Sequence, residues 1–146
     1  MGEEWTAKEL PVLALPVGLV RILVVDDNLL NQEIMATVLG CAGYDVAAAA
    51  NGAAGYEAVR DGGYDLVLMD LEMPVMGGFE AARRIRQLDG RVGRIPIVAL
   101  TARTLDGEVE RCQAAGMDDL LIRPVSSQRI LRVVVHWTWR VESMAD

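Results

Sequence analysis

The sequence predicts an α/β fold in which a five-stranded parallel sheet is covered by helices on both faces. From residue 21 onward, short runs of adjacent apolar residues alternate five times with segments of helical period. Adjacent apolar positions are typical of parallel strands that are buried on both faces. The chain has 146 residues, of which 52% are hydrophobic, and this is enough for one domain with a sizeable core. The alternation therefore favours a single sheet with right-handed crossovers.

Five strands are predicted by these apolar runs, each of which is short and lacks an alternating polar residue. The predicted strands are Ile22–Val25, Tyr44–Ala49, Leu66–Met69, Ile95–Leu100 and Leu120–Ile122.

Helices are predicted after the strands, where apolar residues recur every three or four positions and form stripes. Three stripes mark the first, fourth and fifth helices: Leu30, Ile34 and Val38; Leu105, Val109, Cys112 and Gly116; and Ile130, Val134 and Trp137.

Residues 1–20 fall outside this alternation and are interpreted as an N-terminal arm or linker. The predicted domain is 21–138, and 139–146 is predicted to be a C-terminal tail. The apolar part of the arm is interrupted by Pro11 and Pro16, and Glu3 and Glu4 precede it where a secretory signal would carry positive charge. A cytoplasmic location is therefore predicted.

Composition excludes several classes of function. The formal net charge of −7 argues against direct nucleic-acid binding, which requires basic residues to neutralise phosphates. His136 is the only histidine, so no histidine-based metal site and no Ser-His-Asp triad can form. Cys41 and Cys112 lie far apart and are expected to be two buried, reduced thiols.

Charged and polar residues follow four of the predicted strands, at the edge where open parallel sheets bind ligands. Asp26 and Asp27 follow the first strand, Asp70 the third, Thr101 the fourth and Arg123 the fifth. Three clustered carboxylates repel one another unless a cation is present, and their oxygens suit Mg²⁺.

These residues together indicate phosphoryl chemistry. Asp70, on the central strand, is the natural nucleophile for an acyl phosphate. Thr101 is positioned to donate a hydrogen bond to the phosphoryl group, and Arg123 to neutralise its charge. Taken singly, each residue also has a structural explanation, such as capping a helix or lying on a solvated surface.

Several motifs at these strand ends have a family-specific spacing. They are Val24-Val25-Asp26-Asp27-Asn28, Asp65 to Asp70 with Met73-Pro74, Ala99-Leu100-Thr101-Ala102, and Gly116-Met117-Asp118-Asp119 with Arg123-Pro124. With these motifs the chain resembles the receiver domain of two-component response regulators over about residues 21–137. Asp27 to Asn31 and Leu71 to Pro74 are most similar to receivers of hybrid sensor histidine kinases.

The resemblance implies a flavodoxin-like (βα)5 sheet with strand order 2-1-3-4-5. It also implies that Asp70 accepts a phosphoryl group from a phosphohistidine of a sensor histidine kinase or a histidine phosphotransfer protein. Asp26, Asp27, Asp70 and the backbone carbonyl of Glu72 would hold Mg²⁺. Thr101 would move toward the phosphoryl group. Such a domain is not an enzyme beyond catalysing its own phosphorylation and dephosphorylation.

The peptide bond before Pro124 is expected to be cis by the same resemblance.

The sequence departs from the family at three positions. Arg123 stands where the family has lysine, and Arg and Lys differ in shape and hydrogen bonding. Leu120 replaces the usual aromatic switch residue, and Gly77 replaces an aspartate before Gly78, which is expected to loosen the start of the third helix. We therefore hypothesise that Asp70 is phosphorylated but that the conformational readout is altered.

Two other functions remain open from sequence alone. A degenerate receiver would act only as a protein-interaction module, and a phosphatase would use Asp70 and Glu72 as an acidic pair similar to that of haloacid-dehalogenase-like hydrolases. Trp137 and Trp139 on the last helix are expected to pack on the same chain, with a homodimer contact as the alternative. The sequence does not decide between a fragment of a larger kinase and a free-standing receiver.

Overall fold

The computed structural model describes residues 20–102 and 106–145, and side chains within that part as far as Trp139. The described chain alternates strands and helices along its whole length. The strands are β1 (Arg21–Val25), β2 (Asp45–Ala49), β3 (Leu66–Asp70), β4 (Ile97–Thr101) and β5 (Asp119–Ile122). The helices are α1 (Leu29–Cys41), α2 (Gly52–Asp61), α3 (Gly78–Arg86), α4 (Glu108–Ala114) and α5 (Ser127–Ala145), with a 3-10 turn at Arg91–Arg94.

All five strands are parallel, and their order in the sheet is β2-β1-β3-β4-β5. The predicted flavodoxin-like fold and strand order are therefore confirmed. Strand ends differ from the predicted ones by one or two residues. The largest difference is at β4, which begins at Ile97 because Ile95 lies just beyond the 3-10 turn.

The core has two parts, one on each face of the sheet. Alternate residues of β1 point to opposite faces: Ile22 and Val24 pack with Met35 and Leu39 of α1, whereas Leu23 belongs to the other cluster. The clusters on the two faces include α1 and α5 on one side and α2, α3 and α4 on the other. β3 and β4 are buried at every position, as expected for central strands.

The predicted stripe of α1 is only partly correct, because Val38 is half-buried and packs on the core but the other two residues do not. Leu30 and Ile34 are exposed, and the buried residues of this helix are Met35 and Leu39. Apolar residues cover more of α1 than one buried stripe can hold, so helical period alone did not identify the buried face.

The stripe of the fourth helix is only partly correct. Cys112 is buried, but Val109 is half-exposed, and Gly116 follows the helix, which ends at Ala114. Leu105 lies outside the described residues. The expectation of two buried thiols holds for Cys112 but is wrong for Cys41, which is exposed.

The stripe of the fifth helix is confirmed. Ile130 and Val134 are buried, and the half-buried Trp137 donates a hydrogen bond from Nε1 to Asp119 Oδ2 at 2.9 Å. The helix continues to Ala145, through the segment that was expected to be a tail. Residues 1–19 of the predicted N-terminal arm lie outside the described residues, and Val20 is buried in the core. In residues 20–102 and 106–145, no helix is both long and apolar enough to cross a bilayer.

Candidate functional site

Three carboxylates meet at the carboxyl edge of the sheet. Asp26 and Asp27 follow β1, and Asp70 is the last residue of β3. β1 and β3 are neighbouring, hydrogen-bonded strands of the sheet. One oxygen from each carboxylate lies within 4.8 Å of the others. Asp26 and Asp70 are buried and Asp27 is exposed, so the cluster opens to solvent on the side of Asp27. The convergence expected from the order of the strands is present.

Asp26 is held by contacts around its whole side chain and backbone. Its Oδ1 accepts a hydrogen bond from the backbone N–H of Asn28 at 2.9 Å, and its carbonyl accepts one from Gln32 Nε2 at 2.6 Å. Asn28 is also the N-cap of α1, because its side chain accepts a hydrogen bond from the N–H of Asn31. The turn that begins α1 therefore also fixes the orientation of Asp26.

Arg123 NH2 lies 2.5 Å from the Oδ2 atom of Asp26 in a charged hydrogen bond. Its NH1 lies 3.7 Å from Asp70 Oδ1, so one guanidinium faces two carboxylates. The Arg123 N–H donates to the carbonyl of Thr101 at 2.7 Å, and the bond between Arg123 and Pro124 is cis, as expected. The end of β4 and the β5–α5 loop thus place this cation at the cluster.

Asp70 has a perturbed acidity. Burial raises the pKa of its carboxyl group to about 6. The backbone N–H of Glu72, which donates to Asp70 Oδ1 at 3.2 Å, lowers that pKa, as does the charge of Arg123, while the charges of Asp26 and Asp27 raise it. At neutral pH Asp70 is mainly ionised, as a nucleophile must be.

The remaining predicted residues surround this centre. Thr101 is buried at the end of β4, next to the strand that carries Asp70. Glu72 is exposed, and its backbone N–H reaches Asp70. Leu120 is half-buried and packs on the core cluster beneath α3 and α4, as a core residue does.

Gly78 allows α3 to begin close to the site. A Cβ atom at this position would lie 2.4 Å from the carbonyl oxygen of Asp70, so only glycine fits. Gly77 is the N-cap of α3, and the helix has no side-chain cap there. Gly77 thus gives α3 no side-chain cap, whereas Gly78 is required by packing.

Sequence reasoning missed four exposed apolar residues in the chain segments that follow Asp27 and Asp70. Leu29, Leu30 and Ile34 at the start of α1 are exposed, and so is Val75 in the loop between β3 and α3. Exposed large apolar residues are candidates for contact with another protein. The signal was present in the sequence, because α1 has more apolar residues than one buried stripe needs.

Comparisons with known proteins agree with this geometry. The family model for the response regulator receiver domain matches residues 22–135. The chain is 40% identical over 120 residues to the sensor protein GacS of Pseudomonas syringae pv. syringae, and the match covers 81% of the chain but 13% of GacS. The chain therefore corresponds to a small part of such a relative.

Solved structures give the same result. The receiver domain of the sensor histidine kinase PA1611 from Pseudomonas aeruginosa PAO1, which has a magnesium ion coordinated in its active site cleft, is 37% identical with a TM-score of 0.76. That match covers 82% of this chain and 97% of the other. The receiver domain of Ssk1, solved with the histidine phosphotransfer protein Ypd1 from Saccharomyces cerevisiae, is 29% identical with a TM-score of 0.74, covering 82% and 88% of the two chains.

Proposed function

Because the chain belongs to the response regulator receiver domain family, we propose that its Asp70 accepts the phosphoryl group in a two-component phosphorelay. The observation that carries this proposal is the cluster of three carboxylates, in which one oxygen of each lies within 4.8 Å of the others. Asp70 is one of the two buried members of this cluster, and the Arg123 guanidinium lies beside it. An ionised carboxylate at such a place is a competent nucleophile toward phosphorus.

The donor atoms of the cluster fit a magnesium ion. All of them are oxygens, two of the carboxylates are buried, and the third faces solvent, where a hydrated ion can retain waters. We propose that Asp26, Asp27 and Asp70 hold the ion together with the backbone carbonyl of Glu72. When bound, Mg²⁺ lowers the negative charge that a phosphoryl group brings to the cluster.

The chemical step is a displacement at phosphorus. An oxygen of Asp70 forms the new P–O bond, and the P–N bond to the donor imidazole breaks. The electron pair of that bond stays on the imidazole nitrogen, which is then protonated. Thr101 donates a hydrogen bond to the phosphoryl oxygens, and Arg123 balances part of their charge. Attack of water on the same phosphorus returns Asp70 to the carboxylate.

The proposed donor is a phosphohistidine of a sensor histidine kinase or a histidine phosphotransfer protein. Any protein donor must approach the open side of the cluster, and exposed apolar residues lie in the chain segments that follow Asp27 and Asp70, namely Leu29, Leu30, Ile34 and Val75. Such residues suit a protein partner better than a small anion. A cytoplasmic location and a homodimer contact near Trp139 remain predictions.

Intact-mass spectrometry after incubation with acetyl phosphate tests this function. We expect a gain of one phosphoryl group that requires Mg²⁺ and is absent in Asp70→Asn. Asp61→Asn, at an exposed aspartate that ends α2, is the matched control and should gain the group as the wild type does. No gain in the wild type with Mg²⁺ present would contradict the proposal and would favour a pure interaction module.

A further inference from the structure

Arg123 makes its shortest contact with a predicted metal ligand rather than with the proposed phosphoacceptor. The distance from NH2 to Asp26 Oδ2 is 2.5 Å, whereas NH1 is 3.7 Å from Asp70 Oδ1. The Asp26 side chain is 1% exposed and that of Arg123 is 20% exposed, so this pair is largely removed from solvent. Charged hydrogen bonds in such surroundings are strong.

Both carboxylate oxygens of Asp26 have a partner in this arrangement. Oδ1 accepts from the N–H of Asn28 at 2.9 Å, and Oδ2 accepts from Arg123. A metal ion that uses Asp26 would therefore bind a carboxylate whose oxygens both already accept hydrogen bonds, one of them from a cation. The exposed Asp27 carboxylate offers no such conflict, because no ion pair joins it to Arg123 among the described residues.

We infer that Arg123 acts as an internal competitor for the divalent cation, occupying Asp26 until the metal displaces it. This inference rests on the proposed function, since it concerns the same cluster. A guanidinium is planar, always charged and carries two terminal nitrogens, so it can face Asp26 and Asp70 together. It thereby balances part of the charge of the three carboxylates in the metal-free protein and opposes a second cation.

If Arg123 competes with the metal, removal of its positive charge should change the affinity of the protein for Mg²⁺. In Arg123→Met the Oδ2 atom of Asp26 is released and the local positive charge is absent. We expect Mg²⁺ to bind at least about tenfold more tightly than in the wild type, because a unit charge a few ångströms from the ion is lost. Arg123→Lys, with a compact ammonium that cannot span both carboxylates, should lie between the two.

Isothermal titration calorimetry with MgCl2 alone, on the full chain, measures these affinities without any phosphoryl donor. Arg84→Met is the matched control, since it removes the same charge from an exposed pair with Glu80 on α3, away from the cluster. Its affinity should equal that of the wild type. Arg123→Gln, which keeps a hydrogen-bond donor without the charge, provides the second variant if Arg123→Met does not fold, as judged by circular dichroism.

The outcomes separate this inference from the proposed function. Tighter binding in the Arg123 variants and unchanged binding in Arg84→Met would support the competition. Equal or weaker binding in Arg123→Met and Arg123→Gln would overturn it, even if the wild type still gains a phosphoryl group on Asp70. Absence of Mg²⁺ binding in every variant, with no phosphoryl gain, would overturn both.

Discussion

Two arginine–aspartate pairs lie at opposite ends of the sheet and have different surroundings. At the amino end, Arg86 NH2 lies 2.9 Å from Asp118 Oδ2, and the same guanidinium donates to the carbonyls of Gly93, Ile95 and Gly116. At the carboxyl edge, Arg123 is one cation among three carboxylates.

The amino-end pair is a completed network. Asp118 also accepts a hydrogen bond from the N–H of Ile97 at 2.9 Å, so it joins the start of β4 to the end of α3 through Arg86. Burial lowers the pKa of Arg86, and Asp118 opposes that shift. Asp119 is also structural, since it begins β5 and accepts the hydrogen bond from Trp137.

The carboxyl-edge pair leaves a negative charge unbalanced. Three carboxylates meet there, and among the described residues only Arg123 forms an ion pair with any of them. One of the three, Asp27, faces solvent. The comparison teaches that the same two residue types stabilise a fold where their charges balance, and form a candidate ligand site where the carboxylates outnumber the cation.

The largest expected effect comes from breaking each pair in turn. Arg86→Met removes the guanidinium hydrogen bonds to three carbonyls and the cation that pairs with Asp118, and should lower the free energy of unfolding by about 3 kcal/mol. That loss should be the same with and without Mg²⁺. Arg123→Met should also lose stability in EDTA, but MgCl2 should restore it, because the ion replaces the missing charge.

Urea denaturation of both variants, in EDTA and in MgCl2, measures this difference. A loss in Arg86→Met that MgCl2 reverses would contradict the distinction between the two pairs, and so would a loss in Arg123→Met that MgCl2 leaves unchanged.

The second effect is the pH dependence of Asp70 in metal-free protein. The pKa of Asp70 is raised from 3.8 to about 6 on folding, so the folded protein holds the extra proton between these values. The contribution of Asp70 to stability should therefore fall as pH rises through this window, by about 3 kcal/mol in total. Asp70→Asn lacks this carboxylate and should gain stability relative to wild type as pH rises.

Urea titrations in EDTA at about pH 4, 6 and 8 test whether the difference in stability between Asp70→Asn and the wild type changes in this direction with pH. These values span most of the expected window and extend above it. Asp61→Asn, at the exposed carboxylate that ends α2, is the control for the removal of one negative charge. A difference in stability between Asp70→Asn and the wild type that stays constant with pH would contradict the assigned shift.

The smallest expected effect on stability comes from backbone strain, which also differs between the amino end and the carboxyl edge of the sheet. The positive φ beside Arg86 belongs to Gly116 (φ +89), whereas at the carboxyl edge Val75 has φ 72. A β-branched residue is strained there, and Val75 is exposed, so its side chain adds little packing. Val75→Asn should raise the free energy of unfolding by about 1 kcal/mol.

Thermal unfolding checks that gain, with Val109→Asn as a control at a half-exposed valine in α4, where no strain is relieved. A lower stability in Val75→Asn would mean that the valine side chain contributes a contact at this edge.

Much of the fold could be predicted from the sequence because its signals are local. Five apolar runs identified the strands, and the residues that follow them identified Asp26, Asp27 and Asp70, since parallel strands bring their carboxyl ends to one edge. The family motifs supplied the strand order. A lone Asp-Asp pair would not have distinguished a ligand site from a helix cap, and only the combination did.

The tertiary structure decided which helix face is buried and which side chains pair, because these features depend on residues far apart in the sequence. The buried face of α1 follows from how the helix rests on the sheet, which put Met35 inside and Ile34 outside although both are apolar. Arg123 and Asp26 are 97 residues apart, and Arg86 meets carbonyls on several loops, so neither network has a local signal. The sequence by itself determined the periods of the elements and the chemistry at their ends. Packing determined the pairs, because side chains choose partners by distance in space rather than along the chain.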